Sequence, residues 1–331
     1  MSKKTIIFAS LILSILALTY YLFRPLSNIP PPAEFDCIEI SEGSFISMDS
    51  LPLPQHIYGM GLTYRDHLVE TASEYDPDIL PPIFLKKLHT ITEDGSDVKY
   101  PGRIDIIQAA AELEKEVAEK LEAEYEDLSP LLDYEVELGM VLLDSVLPGE
   151  LEDEDFVPPL GFFIANDLSA RSVLILGEGS PLRYDYWGAA KSFQGFLPLS
   201  ESVWIPNDPK SNSIPCIIIE TFVNGEKRQS ENTDNMIYTP SEMLRFIHSK
   251  YPDHPIKKGD MILTGTAGGV AIATPRALVR LSHLLRFDRY QKLSAKLSSD
   301  QSRFLKPGDK VEIRGEGFYP VTVEITEGKN Q

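Results

Sequence analysis

The segment Asp133-Tyr134-Glu135-Val136-Glu137-Leu138-Gly139, continued by Met140-Val141-Leu142-Leu143, decides how the rest of the chain is read. Its second half is an apolar run of the kind that forms a buried strand. In a strand, residues two apart point to one face, so Glu135 and Glu137 set two carboxylates side by side. Like charges that close are unfavourable unless a cation or a proton separates them. Burying them without a partner is costlier still. A third acid, Asp167, follows another apolar run, Phe162-Phe163-Ile164-Ala165-Asn166. Three oxygen donors suit Mg²⁺, Mn²⁺ or Ca²⁺, whereas zinc would call for His or Cys. Taken alone, E-x-E in a strand is weak evidence, because charged alternation on an exposed strand is common.

Outward from this segment, short strand-like runs recur with turn residues between them: Leu160–Ala165, Cys216–Val223, Met261–Thr264, Lys310–Arg314 and Val321–Ile325. Hydrophobic spacing predicts a helix over about Asp105–Leu128, ended by Ser129-Pro130. Thr274 as N-cap and Pro275 at the first helical position predict another, reaching toward Phe304. A shorter helix is expected from about Ser241. Many strands and few helices give an α+β, mainly β domain.

The balance of 31 basic and 50 acidic residues leaves a net charge of −19, which repels phosphate backbones, so no nucleic-acid partner is expected. The two cysteines, Cys37 and Cys216, form no C-x-x-C pattern. They are small buried residues or a disulfide; sequence does not give their separation in space. There is no G-x-S-x-G elbow, and Gly265–Gly269 lacks the lysine of a phosphate loop. His56, His89, His248, His254 and His283 fit no catalytic pattern.

Residues 5–23, TIIFASLILSILALTYYLF, carry no formal charge and approach the ~20 residues needed to cross a hydrocarbon core. Lys3 and Lys4 before them place the N-terminus inside and the remainder outside. The expectation is a single-pass signal anchor over residues 1–24, with an extracytoplasmic domain. Cleavage and release into the periplasm or medium is the alternative. Pro25 to Phe35, with Pro30, Pro31 and Pro32, reads as an extended linker over about 25–36, and the remaining domain as 37–331.

The motifs of that domain, taken in order, resemble the fumarylacetoacetate hydrolase superfamily. Tyr58-Gly59-Met60-Gly61-Leu62-Thr63-Tyr64-Arg65-Asp66-His67-Leu68-Val69-Glu70 is similar to its N-terminal G-x-N-Y-x-x-H-x-x-E. Tyr134–Leu138 is similar to its metal motif and Ala165–Arg171 to its third-ligand motif. Further similarities are Lys191-Ser192-Phe193, Val223–Glu226, Gly259–Thr266 and Pro307–Glu312. The resemblance implies a mixed β-sheet roll with peripheral helices, and a cation, Mg²⁺ above Mn²⁺ or Ca²⁺, held by Glu135, Glu137 and Asp167. It implies catalytic roles for His67, Glu70 and Lys191, and substrate contacts from Arg171, Gly265 and Thr266. A small 2-oxo acid or β-dicarbonyl substrate and a homodimer are expected. The reaction expected is hydrolysis of a C–C bond in an acylpyruvate-like acid. Decarboxylation of an oxaloacetate-like acid and isomerisation or hydration of a 2-hydroxydienoate are alternatives on the same site. A catalytically silent tethered binding protein, or a Ca²⁺-stabilised module, is the alternative of another class. The sequence departs from the family pattern at Thr63, Lys87, Ser172, Leu174 and Ala267-Gly268, all on the substrate side. The helical segments near 105–128 and 275–304 read as insertions.

Overall fold

The computed structural model describes all residues except 1, 2, 27, 35, 72, 74, 154, 155, 210, 211 and 329–331. Two large sheets, with three two-stranded pairings beside them among the described residues, build the domain. The larger has seven strands in the order Gly43–Ser47, Ser202–Pro206, Leu160–Asn166, Val136–Leu142, Met261–Thr266, Ile57–Met60 and Ile83–Lys86. Its neighbours run antiparallel except Met261–Thr266 with Ile57–Met60, which are parallel. The smaller has five strands in the order Glu226–Asn232, Ile218–Val223, Lys310–Gly315, Val321–Thr326 and Asp97–Lys99. Mixed α and β structure on several sheets is the result.

The central strands Val136–Leu142 and Leu160–Asn166 are buried along their whole length, because both faces of the larger sheet are covered. Val136, Leu138, Met140 and Leu142 join Ile219, Ile313 and Val321 of the smaller sheet in one apolar layer. Val141 points the other way, into a second layer with Ile57, Phe163 and Leu263. Strand alternation sorts the two sets. On the second face the Phe163 ring lies so close over Gly139 that a Cβ there would sit 2.3 Å from its tip. The run of alternating large and absent side chains therefore lets this layer close.

Helices flank the sheets. The helix expected over Asp105–Leu128 is two helices, Arg103–Ala111 and Lys115–Glu124. Glu114 between them is extended, and its carboxylate accepts two hydrogen bonds from Arg289, 2.6 and 3.1 Å long. No Gly or Pro marks that break. The later segment also divides, into Arg276–Leu284 and Arg289–Leu297, with Asp288 capping the second. Pro240–Lys250 carries a full capping box from Thr239 and Glu242.

Cys37 and Cys216 form a disulfide. It closes beside the short parallel pairing of Cys37–Ile38 with Ile214–Pro215 and fastens the start of the domain to its core.

The membrane-spanning expectation is corrected. Residues Lys3–Phe23 do form a helix, but among the described residues no helix is long and apolar enough to cross a membrane. Its apolar run is diluted by Ser10, Ser14, Thr19, Tyr20 and Tyr21. Its C-terminal end is also engaged. The Arg280 guanidinium donates to the carbonyls of Tyr21 and Leu22, at 3.2 and 3.3 Å, which a helix otherwise leaves open at its last turn. The anchored, single-pass placement of the domain outside a membrane rested on that span and falls with it. The expected linker over 25–36 includes residues 27 and 35, which lie outside the described residues.

Candidate metal centre

The antiparallel pair Val136–Leu142 and Leu160–Asn166 sets the site. Its register ends with Val136 opposite Asn166 and Glu137 opposite Ala165. Just beyond, the strands part. The Asp167 N–H donates to the Glu135 carbonyl at 2.8 Å, and the Asn166 amide oxygen accepts from the Glu135 N–H at 3.0 Å. A second short pairing, Ser169 opposite Asp133, re-closes the gap. Glu135 and Asp167 therefore face each other across a gap in the pairing, with Glu137 one step along the strand. Each of the three carboxylates offers an oxygen, these lie within 4.8 Å of one another, and all three residues are buried.

Neighbouring elements bring cations. Lys191, which ends the helix Arg183–Ala190, places its ammonium between Glu135 and Asp167, 2.7 Å from the latter. Arg171, at the start of the fully buried helix Arg171–Leu176, donates from Nε to Asp133 at 2.9 Å and from Nη2 to Glu135. Lys86, the last residue of its strand, donates to Asp167 and, at 3.2 Å, to the Phe196 carbonyl. Asp133 accepts further bonds from the N–H groups of Ala271 and Ile272, at 2.7 and 3.0 Å.

Asp133, Glu135, Glu137 and Asp167 are four buried carboxylates against three buried cations, Lys86, Arg171 and Lys191. One carboxylate more than the cations is left, and Glu137 is the one with no cation partner among the described residues. Its bond in the cluster comes from the Gly265 N–H, at 2.8 Å. Burial, then Asp167 and Glu135, push the Glu137 carboxyl well above the usual carboxylate range, against the pull of Lys191. Glu135 behaves oppositely. Burial would raise it, but Arg171 and Lys191 outweigh that and hold it low. A buried, unpaired carboxylate beside two others is what a hard divalent cation would compensate. The all-oxygen donor set fits Mg²⁺, Mn²⁺ or Ca²⁺.

His67 and Glu70 lie on the short helix Arg65–Glu70, which follows the strand Ile57–Met60. His67 Nδ1 is 3.7 Å from Glu70 Oε2, and that oxygen accepts from the Gly269 N–H at 2.9 Å. Burial opposes ionisation of Glu70, but His67 and the Gly269 N–H together hold its pKa below the ordinary value. His67 is buried.

The structure brings Glu135, Glu137, Asp167 and Lys191 together, with His67 and Glu70 alongside. Arg171, Gly265 and Thr266, the residues expected to touch substrate, each bond to protein groups. Arg171 is committed to two carboxylates. The Gly265 N–H points at Glu137, and φ of +95° with Thr63 pressed against its Cα makes glycine necessary there. The Thr266 hydroxyl donates to the Val136 carbonyl at 3.0 Å and accepts from Gln229 at the same distance. Sequence reasoning missed Asp133, Lys86 and Gln229. Asp133 was visible in principle, two residues before Glu135 on the same face of an extended chain. Lys86 carried a weaker signal, a lysine ending an apolar strand. Gln229, among charged neighbours, carried none.

The fumarylacetoacetate hydrolase C-terminal family model matches residues 56–326. The chain belongs to that family. It is 29% identical over 229 residues to the oxaloacetate tautomerase YisK of Bacillus subtilis, covering 66% of this chain and 62% of that one. It is 31% identical over 243 residues to the mitochondrial oxaloacetate tautomerase FAHD2B of Homo sapiens, covering 72% and 64%. Both matches thus span less than two thirds of the relative's length. The structure of fumarylpyruvate hydrolase from Pseudomonas aeruginosa, in complex with Mn²⁺ and pyruvate, superposes with a TM-score of 0.53 at 15% identity, covering 89% of this chain and 100% of that one, and shows the shared fold. Family relatives include hydrolases, isomerases, decarboxylases and tautomerases.

Proposed function

We propose that this chain is a divalent-metal-dependent enzyme that cleaves a C–C bond in an acylpyruvate-like 2-oxo acid, with Mg²⁺ held by Glu135, Glu137 and Asp167. The observation that carries the reading is the buried trio of carboxylates, of which Glu137 has no cation partner among the described residues, together with the histidine–carboxylate pair of His67 and Glu70. When bound, the cation supplies positive charge on which a 2-oxo acid chelates and against which enolate charge develops. Glu70, anchored by the Gly269 N–H, orients the His67 imidazole. His67 takes a proton from water as the water oxygen bonds to the acyl carbon. The C–C bond to the methylene breaks, and its electron pair remains on the 2-oxo acid as an enolate. The imidazolium returns its proton to that carbon, giving pyruvate or its analogue and a carboxylic acid. Lys191 keeps Glu135 and Asp167 from repelling one another, and its ammonium would lend positive charge to an oxyanion formed beside them.

A second reading is keto–enol interconversion of an oxaloacetate-like acid, supported by the two tautomerase relatives. There His67 would take the proton from the enol oxygen and return it to the methylene carbon, or the reverse, and no water attack is needed. One experiment separates them. The full chain with Mg²⁺ is given acetylpyruvate, read as acetate and pyruvate, and separately enol-oxaloacetate, read by its ultraviolet absorbance. Cleavage that is lost with EDTA and in His67→Ala supports the first reading. Tautomerisation without cleavage replaces it with the second, and neither activity rejects both.

A further inference from the structure

The strand Glu226–Asn232 is the free edge of the smaller sheet, and its residues are polar: Glu226, Lys227, Arg228, Gln229, Ser230, Glu231 and Asn232. Gln229 is the single fully buried side chain in it. The adjoining strand fills its own inward positions with Ile219, Thr221 and Val223, and it is the buried Thr221 that lies directly opposite Gln229. A buried amide is tolerated only when its bonding groups are met. Here all are. Its Oε1 accepts from the Val136 N–H at 3.0 Å and the Thr221 hydroxyl at 2.7 Å. Its Nε2 donates to the Thr266 hydroxyl at 3.0 Å and the Ala267 carbonyl at 3.1 Å. Four filled valences leave the amide one orientation.

The partners matter more than their number. Val136 is the residue between Glu135 and Glu137. Ala267 begins the loop whose Gly269 N–H anchors Glu70. That loop lies tight on the glutamine's strand: a Cβ on Gly269 would meet the Arg228 carbonyl at 2.4 Å. We propose that Gln229 is a positioning residue that ties Val136, at the start of its strand between Glu135 and Glu137, to the loop that anchors Glu70, and so fixes the carboxylate set relative to His67. Its catalytic consequence rests on the function proposed above; the tie itself does not.

Hydrogen exchange by mass spectrometry on the full chain tests the tie without substrate. In Gln229→Leu, segments covering 133–139 and 266–271 should exchange about tenfold faster or more, while Leu160–Asn166 and Pro240–Lys250 keep their rates. Gln229→Glu retains the acceptors for Val136 and Thr221 but loses the donors, so its acceleration should be confined to 266–271. It also carries the test if the leucine variant does not fold. Turnover should fall about tenfold or more in kcat, with KM little changed, as expected of lost alignment. Unchanged exchange, or uniform acceleration throughout the chain, would overturn the proposal by reducing Gln229 to a bystander or a general fold support. Absence of turnover in the unaltered chain would count against the proposed reaction instead, and the exchange pattern would still decide on Gln229.

Discussion

The strand Met261–Thr266 has buried acids at both ends, arranged in opposite ways. At its start, Asp260 is fully buried and accepts from the N–H groups of Gln55 and His56, both at 2.8 Å, and of Lys257 at 2.9 Å. His56 stands 3.5 Å away and stacks on His254. One carboxylate there meets three main-chain donors, and the group closes a turn. At the far end, Thr266 pairs with Glu137, and four carboxylates crowd against three cations. The first arrangement is complete without anything added. The second is not, and its deficit sits on one named oxygen pair. Burial of charge alone therefore does not mark a functional site; incomplete compensation does.

Exchanging the acids should separate the two ends most sharply. Glu137→Gln is expected to lower metal-dependent turnover about a thousandfold, while the melting temperature of the metal-free chain holds, or rises at a pH that ionises Glu137, because a buried carboxyl without a cation partner is removed. Thermal scans in EDTA beside kinetic assays in Mg²⁺ would check both. A lowered melting temperature with intact turnover would put the two ends in one class. Asp260→Ala should do the reverse. It strands three main-chain donors and costs about 3 kcal/mol by denaturant titration, with activity per folded molecule preserved.

The disulfide extends the contrast to a purely structural link. Reduction, or the paired change Cys37→Ser and Cys216→Ser, should cost about 2–4 kcal/mol by closing no loop in the unfolded chain, and leave kcat untouched. A drop in kcat per folded molecule would mean that the N-terminal segment reaches the site.

The smallest expected effect is one of pH. The folded pKa of Glu137 lies above its unfolded value, so between the two the folded state holds the extra proton. Stability from this group is therefore present at and below the ordinary carboxylate range and is lost as pH rises through the raised value. Without metal, the melting temperature of the unaltered chain should fall relative to Glu137→Gln over that rise, and saturating Mg²⁺ should remove the difference. Parallel curves would show that Glu137 is not the deficit.

Much of this was legible in the residues, and the gaps have physical causes. Alternation and apolar runs located Val136–Leu142, Leu160–Asn166 and Met261–Thr266 because a doubly covered strand must be apolar throughout. The carboxylate set was legible because two of its members lie two apart in the sequence, at the start of one strand. The break at Glu114 was not, since a tertiary ion pair to Arg289 makes it and no local breaker announces it. Residues 5–23 misled because a long apolar run looks alike whether it meets lipid or ends against another helix; Arg280, more than 250 residues away, is what receives its last turn. The partners of Arg171, Gly265 and Thr266 were illegible for the same reason. Their donors are directed by elements distant in sequence.

The most direct test of the account is a Mn²⁺ titration of the EDTA-stripped full chain, followed by the loss of the free-ion signal in electron paramagnetic resonance. The account predicts a single bound Mn²⁺ that is lost in Glu137→Gln and in Asp167→Asn and kept in Asp260→Asn. Equal binding in all four proteins, or none in the unaltered chain, would contradict it.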